Sequence, residues 1–580
     1  MRFSGPRRPF PLNSRKARSI FATVIFSFTV LGALQLQHNR SALAQNEARQ
    51  PLIIGGSTLG GPVSQLPPPP TQKPKQDKPK LPVLSPPPSA QVPIVSATPK
   101  PQDTIRVGLT TEGGAIEIYA PKGLILRDKK QSRALRVEAG EKIQLISGPN
   151  FEAKVGEQTF SGPIFVQNGA KVSQGWQYVQ VEAIDGGEGE FARVTTNGKN
   201  ARWGRPYRGD FEVFPNQDAE KFKRKGPLAI VNIVSLEDYL KGVVPWEMSP
   251  SAPLEALKAQ AICARTKAMQ FVAARKFKGF DVCDYDACQG YPGTENEKPT
   301  TTQAVEMTKG LALYYKDKII DAVFSTNSGG ITAAANDVWN SSSQIPYLVS
   351  IKAFDKKSEL NSIVRKEMNE ADWTQYFSQA WPSYSRPDDA ARAALAERRR
   401  KFPRTAALYG PEDWPEFYRW KRVISAQDAD VAFTKQGIKS ISSIEILERT
   451  ASGRIRKLKV SGFSVAAMAA RQPLTGTETE PATVTPDKSI IFEGDGKIRA
   501  MFSGQLGSTT ALPSSSFSVQ QQIGADGQLD NWILQGAGWG HGVGMCQRGA
   551  QNLALDGWKS TNILDYFYKD VDIRKVQGVG

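Results

Sequence analysis

The sequence predicts a mixed α+β protein, and three observations carry that reading. Alternating β-type runs begin at Thr104, a long amphipathic helix begins at Leu254, and short strands return after Ile438. A chain of 580 residues exceeds the usual size of one domain, so two or three folded units are expected. The formal charge of +17 includes seven positives and no acid in the first 44 residues, and the remainder is still basic. Such an excess suits anionic polymers or membrane surfaces. Nucleic acid is not an expected partner, since neither zinc-finger spacing nor a basic stripe with interleaved aromatics is present.

Residues 1–44 read as an export signal. A basic stretch to Arg18 precedes an apolar run from Ile20 to Leu36, and Ala42-Leu43-Ala44 supplies the small-x-small pattern of a cleavage site. An uncleaved anchor through residues 20–36 is the alternative, and the only route to a membrane. Both place the bulk of the chain in the periplasm or cell-wall space. Residues 45–103 are rich in Pro, Lys, Gln and Ser, which leaves little apolar surface to offset ordering entropy, and read as an extended tether.

Residues 104–215 form a small β-rich domain in this reading, with Ile105–Leu109, Ala115–Tyr119 and Tyr178–Glu182 as half-buried strands. Residues 216–575 form the main domain. Leu228–Val234 is a continuous apolar strand that leads into Leu236–Met248. The helix that follows repeats Leu254, Leu257, Ala261, Ala264, Ala268 and Phe271 at three and four residues, with Pro253 in its first turn. Leu311–Tyr315 and Ile319–Phe324 turn through Lys316-Asp317 and feed the polar loop 325–330. Residues 353–440 are charged and helical in tone, an insertion or lid of unassigned purpose. The end of the chain carries alternating glycines from Gly536 to Gly544, followed by a helix from Met545 to Leu555.

The chemistry concentrates in few residues. Glu247 lies between Trp246 and Met248, where an indole and a dry setting would raise its pKa and keep it protonated as a general acid; the alternative is a solvated loop carboxylate. With two histidines, one of them (His38) in the export segment, histidine-rich metal catalysis is excluded and carboxylates remain as acid-base groups. The glycines around His541 match neither the dinucleotide fingerprint nor a phosphate loop. They permit close backbone approach, and His541 among them either orients a substrate hydroxyl or satisfies a buried turn. Ser325, Asn327, Ser328 and Gly329 suit sugar hydroxyls better than a serine triad. Cys283 and Cys288 form either a local disulfide, the default outside the cytoplasm, or part of a zinc site.

Several motifs in one order resemble the stage II sporulation protein D family (SpoIID/LytB). They are Val231–Met248, Glu255–Thr266, Gln289–Tyr291, Thr308–Gly310, Ser328–Gly330 with Trp339, Pro346–Leu348 and Gly540–Ala550, and the resemblance spans residues 205–575 outside the insertion. It implies a SpoIID-type mixed domain with a long helix after the catalytic glutamate. It also implies a lytic transglycosylase acting on peptidoglycan glycan strands stripped of stem peptides, leaving 1,6-anhydro-N-acetylmuramic acid ends. Glu247 would be the catalytic acid. Arg265 would line the cleft, with Gln260, Asn327, Ser328, Gly329, His541 and Gln547 as further substrate contacts. No cofactor is required; a structural zinc at Cys283 and Cys288 is the alternative to the disulfide, although the histidines that neighbour zinc in the family are absent here. LytB-type relatives imply a second reading, a non-catalytic glycan-binding enhancer of a cell-wall amidase.

Overall fold

The computed structural model describes residues 94–95, the strands lying between 104 and 215, and residues 228–576 apart from 275–276, 278, 340–343, 355–357, 359, 365–366, 402–412, 471–484 and 503–510. The expected export signal lies outside the described residues, as does the tether except for Ile94–Val95. Among the described residues no helix is long and apolar enough to cross a membrane.

The architecture is mixed α+β, with several small sheets packed beside helices. The strand Leu228–Ser235 lies antiparallel between Thr104–Leu109 and Asp210–Pro215, and Val282–Cys283 adds in parallel beside Thr104–Leu109. The boundary expected at residue 215 is therefore crossed by one sheet, in which the first strand of the expected main domain is an interior strand. Its apolar run is buried on both faces, and its one buried amide, Asn232, is fully used. Asn232 Nδ2 donates to the carbonyls of Arg208 and Asp210, and its Oδ1 accepts from the Tyr291 hydroxyl at 3.0 Å.

The strand runs straight into a helix, Leu236–Glu247. Ser235 caps it by accepting from the Asp238 N–H, and Glu237 and Asp238 in the first turn complement the positive end of the helix dipole. Pro245 sits in the last turn and the chain turns extended at Met248. The next helix, Leu254–Ala274, starts just after Pro253 and is buried over most of its circumference. Small residues on it (Ala256, Ala259, Ala261, Ala264, Ala268) let neighbouring elements approach closely. It packs on the helices Leu236–Glu247, Pro299–Met307, Gln547–Leu555 and Ser560–Phe567, and on the strand Leu311–Tyr315. That strand turns back through Lys316 and Asp317, both at positive φ (46° and 63°), which matches the right-handed twist of the pair.

A second core gathers Trp420, Phe433, Phe502, Phe517, Trp532 and Leu534 between two three-stranded sheets. The segment 353–440 contributes to it. After the helices Glu370–Ser378 and Asp389–Lys401, its strand Trp420–Ser425 pairs along the whole of Asn531–Gly536. The latter part of the expected insertion is thus woven into the body of the protein. A third, smaller cluster joins Ile331, Phe354, Trp373, Tyr376, Phe377 and Ala537.

Candidate active site

Glu247 is the last residue of its helix, at the end where backbone carbonyls point outward and disfavour negative charge. Its surroundings do the same. Burial pushes its pKa up to about 8, a hydrogen bond from the Gly290 N–H opposes that rise, and the Asp286 carboxylate adds to it. The Gly290 contact reaches Oε1 at 3.1 Å. The Glu247 residue keeps some solvent contact, so the acid is desolvated yet reachable. A carboxyl in this state carries its proton at neutral pH.

The loop holding Gly290 is fixed at several points. Cys283 and Cys288 form a disulfide with Cα atoms 5.7 Å apart. The Tyr291 N–H donates to the Asp284 carbonyl at 3.0 Å, and the Tyr291 ring packs between Tyr207 and Tyr239. Gly290 itself lies against the Trp246 indole so closely that a Cβ would overlap the ring. The disulfide consumes the thiolates that zinc would need, and among the described residues no group of three His, Cys, Asp or Glu could hold a metal ion. These residues do not fit a zinc site.

Gln547, the first residue of the helix Gln547–Leu555, braces the acid from the other side. Its Nε2 donates to the Glu247 carbonyl at 2.9 Å and to Gln260 Oε1 at 3.2 Å. Gln260 and Gln547 are both buried, so they support the backbone of Glu247 and do not face a ligand as direct contacts. Gln260 Nε2, Gln289 Nε2 and the Ser325 hydroxyl are buried without a hydrogen-bond partner among the described residues. Ser325 adjoins the glycine ribbon, because Phe324-Ser325 pairs in parallel with Met545-Cys546.

His541 is half-buried, and its Nδ1 accepts from the Val543 N–H at 3.1 Å, which leaves the ring proton on Nε2. Burial first, and the Arg454 guanidinium second, lower its pKa to about 3. Arg454 also donates to the Gly540 carbonyl at 3.0 Å while ion-pairing with Asp495 at 2.8 Å. The imidazole is therefore a neutral donor. Its ring lies 5.2 Å from that of Trp339.

Other expected contacts are placed differently. Arg265 is wholly buried and does not line a cleft. Its guanidinium is forked onto Glu237 at 2.8 and 2.6 Å and donates to the carbonyls of Val305 and Leu311. Asn327, Ser328 and Gly329 are also buried and partnered by protein. Asn327 Nδ2 donates to the Ser385 carbonyl, its Oδ1 accepts from the Gly329 N–H, and the Ser328 and Ser385 hydroxyls are 2.8 Å apart. The Gly329 carbonyl accepts from the Tyr376 hydroxyl and from Arg419. This loop is a clamp between the segment 353–440 and the core. Of the expected substrate contacts, His541 alone is half-buried, and the others are buried, Ser328 and Gln547 at 6% exposure each.

Trp339, Arg454, Gln289 and the role of Gly290 escaped the sequence reading. Trp339, Gln289 and Gly290 lie in motifs visible in the sequence, but nothing local marks Trp339 as exposed or Gln289 as unsatisfied.

The family model described as stage II sporulation protein (SpoIID) matches residues 224–315, from the strand Leu228–Ser235 through the disulfide loop to Tyr315. A domain of unknown function (DUF8618) matches residues 480–544, ending in the glycine ribbon. Among curated proteins, the chain is 27% identical over 348 residues to an uncharacterized protein of Brachyspira hyodysenteriae, covering 60% of this chain and 68% of that one. It is 27% identical over 332 residues to the amidase enhancer of Bacillus subtilis, covering 57% of this chain and 39% of the relative. It is 38% identical over 144 residues to the stage II sporulation protein D of the same organism, covering 22% of this chain and 41% of the relative. The chain thus matches about two fifths of the length of the two functionally named relatives.

Proposed function

Because the chain carries a SpoIID family domain and is a distant homologue of the amidase enhancer and of stage II sporulation protein D, we propose that it is an exported cell-wall protein that binds and cleaves peptidoglycan glycan strands. The observation that carries this reading is Glu247, a reachable carboxyl whose pKa is raised to about 8 by burial. The reaction is that of a lytic transglycosylase on strands lacking stem peptides.

The Glu247 proton passes to the glycosidic oxygen that follows N-acetylmuramic acid, and the bond from that oxygen to the anomeric carbon breaks. Positive charge develops on the sugar as the carboxylate forms. The sugar's own O6 then bonds to the anomeric carbon and surrenders its proton to Glu247, which restores the acid and closes a 1,6-anhydro ring. No water is consumed and no second carboxylate is needed, because the nucleophile is already tethered to the reacting centre. Gln547 and Gln260 hold the backbone at Glu247, and Gly290 offers a hydrogen bond that strengthens as the carboxylate charges.

Similarity to the amidase enhancer over 57% of the chain favours a second reading, in which the protein binds glycan and stimulates a cell-wall amidase without cutting. Mass spectrometry of denuded glycan strands separates the two. Anhydro ends that accumulate with the wild type and vanish with Glu247→Gln support cleavage. Binding without products from the wild type leaves the enhancer.

A further inference from the structure

Trp339 is one of the few large apolar side chains left open to solvent, at 40% exposure. It is not a loose surface residue. Its N–H donates to the Ala335 carbonyl at 3.0 Å, ending the short helix Ala335–Val338. Asp337 on that helix bonds the Ala334 N–H and accepts from the Ser452 hydroxyl at 2.7 Å, which ties the turn to the second core. The indole meets the imidazole of His541 at 46° and 5.2 Å between centroids.

His541 is equally fixed. The Val543 N–H occupies Nδ1, so Nε2–H is the group that remains to be given. The Arg454 guanidinium beneath the ribbon is already committed to Asp495 and to the Gly540 carbonyl. Gly540 approaches the side chain of Ser325, since a Cβ on Gly540 would lie 3.4 Å from the Ser325 Cβ, and the buried Ser325 hydroxyl has no hydrogen-bond partner among the described residues. An aromatic face and a neutral N–H donor from two separate stretches of chain thus meet, with the buried Ser325 side chain close to the ribbon that carries the donor. The cations near His541, Arg454, Lys267 and Arg499, are each paired with a carboxylate of the protein, Asp495 or Asp321, so none is left over for a charged sugar.

We infer that Trp339 and His541 form a sugar-binding platform that takes an uncharged N-acetylhexosamine unit of the glycan strand. The apolar face of the pyranose lies on the indole, whose ring quadrupole and area favour C–H contact, and a ring substituent accepts from His541 Nε2. His541 and Gln547, the residue that braces Glu247, lie on one continuous stretch of chain, and among the described residues neither Trp339 nor His541 is hydrogen-bonded to Glu247. The platform rests on the reading of glycan as the ligand, and it adds a residue, Trp339, that governs hold on the strand and not the proton transfer.

The test is equilibrium binding to the full chain in a Glu247→Gln background, which cannot consume the ligand, with two probes: purified denuded glycan strands and an uncharged N-acetylglucosamine oligomer. Trp339→Ala is expected to weaken binding of both by about tenfold, and Trp339→Phe by less than about threefold. The thermal midpoint should fall by a few degrees at most, since much of the side chain is open to solvent and its backbone hydrogen bond is kept. Affinity should be flat between pH 5 and pH 8, because His541 stays neutral there. In the otherwise wild-type chain, Trp339→Ala should raise KM with little change in kcat. Undiminished binding by Trp339→Ala, or a parent that binds neither probe, overturns the platform. Absence of anhydro products from the wild type, with binding still lost in Trp339→Ala, sinks cleavage and leaves the platform standing.

Discussion

The Gly290 N–H donates to Oε1 of Glu247 across 3.1 Å and 43 residues of sequence. It is the one hydrogen bond to this carboxyl among the described residues that counters its burial, and it does not cancel it. The pKa stays near 8. If Glu247 is the acid, kcat/KM should be level through neutral pH and fall about tenfold per unit above pH 8. Rate profiles on denuded glycan check this, and a fall centred near pH 5 would remove Glu247 from the role.

The same shift predicts a stability effect independent of any substrate. The folded carboxyl binds its proton more tightly than the unfolded one, so this group's contribution is whole below about pH 4.5. It is lost progressively as pH rises to about 8, because the unfolded chain ionises first. Glu247→Gln should therefore gain on the wild type across that window, by a few kcal/mol at most, the residue being partly solvated. Denaturant titrations at pH 4, 6 and 9 measure the gap. A gap that does not grow with pH contradicts the burial.

What the sequence could reveal here was local. The long helix at Leu254–Ala274 announces itself through its period and through Pro253, and the setting of Glu247 beside Trp246 pointed to a raised pKa. The helix Leu236–Glu247 did not, since Gly242 and Pro245 interrupt the pattern that tertiary packing overrides. Arg265 and the loop 325–330 carry the residue types of a binding site, yet their partners, Glu237, Ser385, Tyr376 and Arg419, lie 28 to 90 positions away. No local pattern tells a ligand-facing polar group from one satisfied by distant protein.

Arg265 therefore makes a discriminating variant. Removing it strands Glu237 beside the Gly310 N–H without its cation, and breaking such a buried pair costs about 3–5 kcal/mol. Arg265→Ala should lower the thermal midpoint sharply, while protein that remains folded at low temperature binds glycan as the wild type does. Arg265→Lys should recover only part of the loss, because an ammonium cannot fork across both oxygens of Glu237. Normal stability with lost glycan affinity would return Arg265 to the binding surface.

Gly290→Ala tests the acid's setting from the loop that donates to it. The new Cβ would enter the Trp246 indole, so either the ring or the Gly290 backbone must move. Overpacking of this kind costs about 1–3 kcal/mol. Displacing the N–H removes a donor that favours the ionised carboxyl, so the descending limb of the pH profile should move above 8 as kcat drops. A variant with unaltered kcat and an unaltered limb would show that the contact has no part in the reaction.

The disulfide should act on that same contact. Cys283–Cys288 closes a short loop, and chain-entropy reasoning assigns it about 2 kcal/mol of stability. The larger consequence is positional, since Gln289 and Gly290 follow Cys288 directly and the Cys283 N–H is bonded to the Cys288 sulfur. Treatment with a dithiol reductant converts the bond to two thiols as the reductant is oxidised. The loop can then relax, and kcat should fall by more than KM rises. All four cysteines are buried in the folded protein, so alkylation of the reduced, undenatured protein should add two groups only if the reduced loop relaxes, and none if it keeps its place. Cys283→Ser combined with Cys288→Ser should reproduce the kinetic loss without reductant. Wild-type kinetics in that double variant would make the bridge a fastening with no bearing on the acid, and recovery on adding zinc to the reduced protein would reverse the assignment of these cysteines to a disulfide alone.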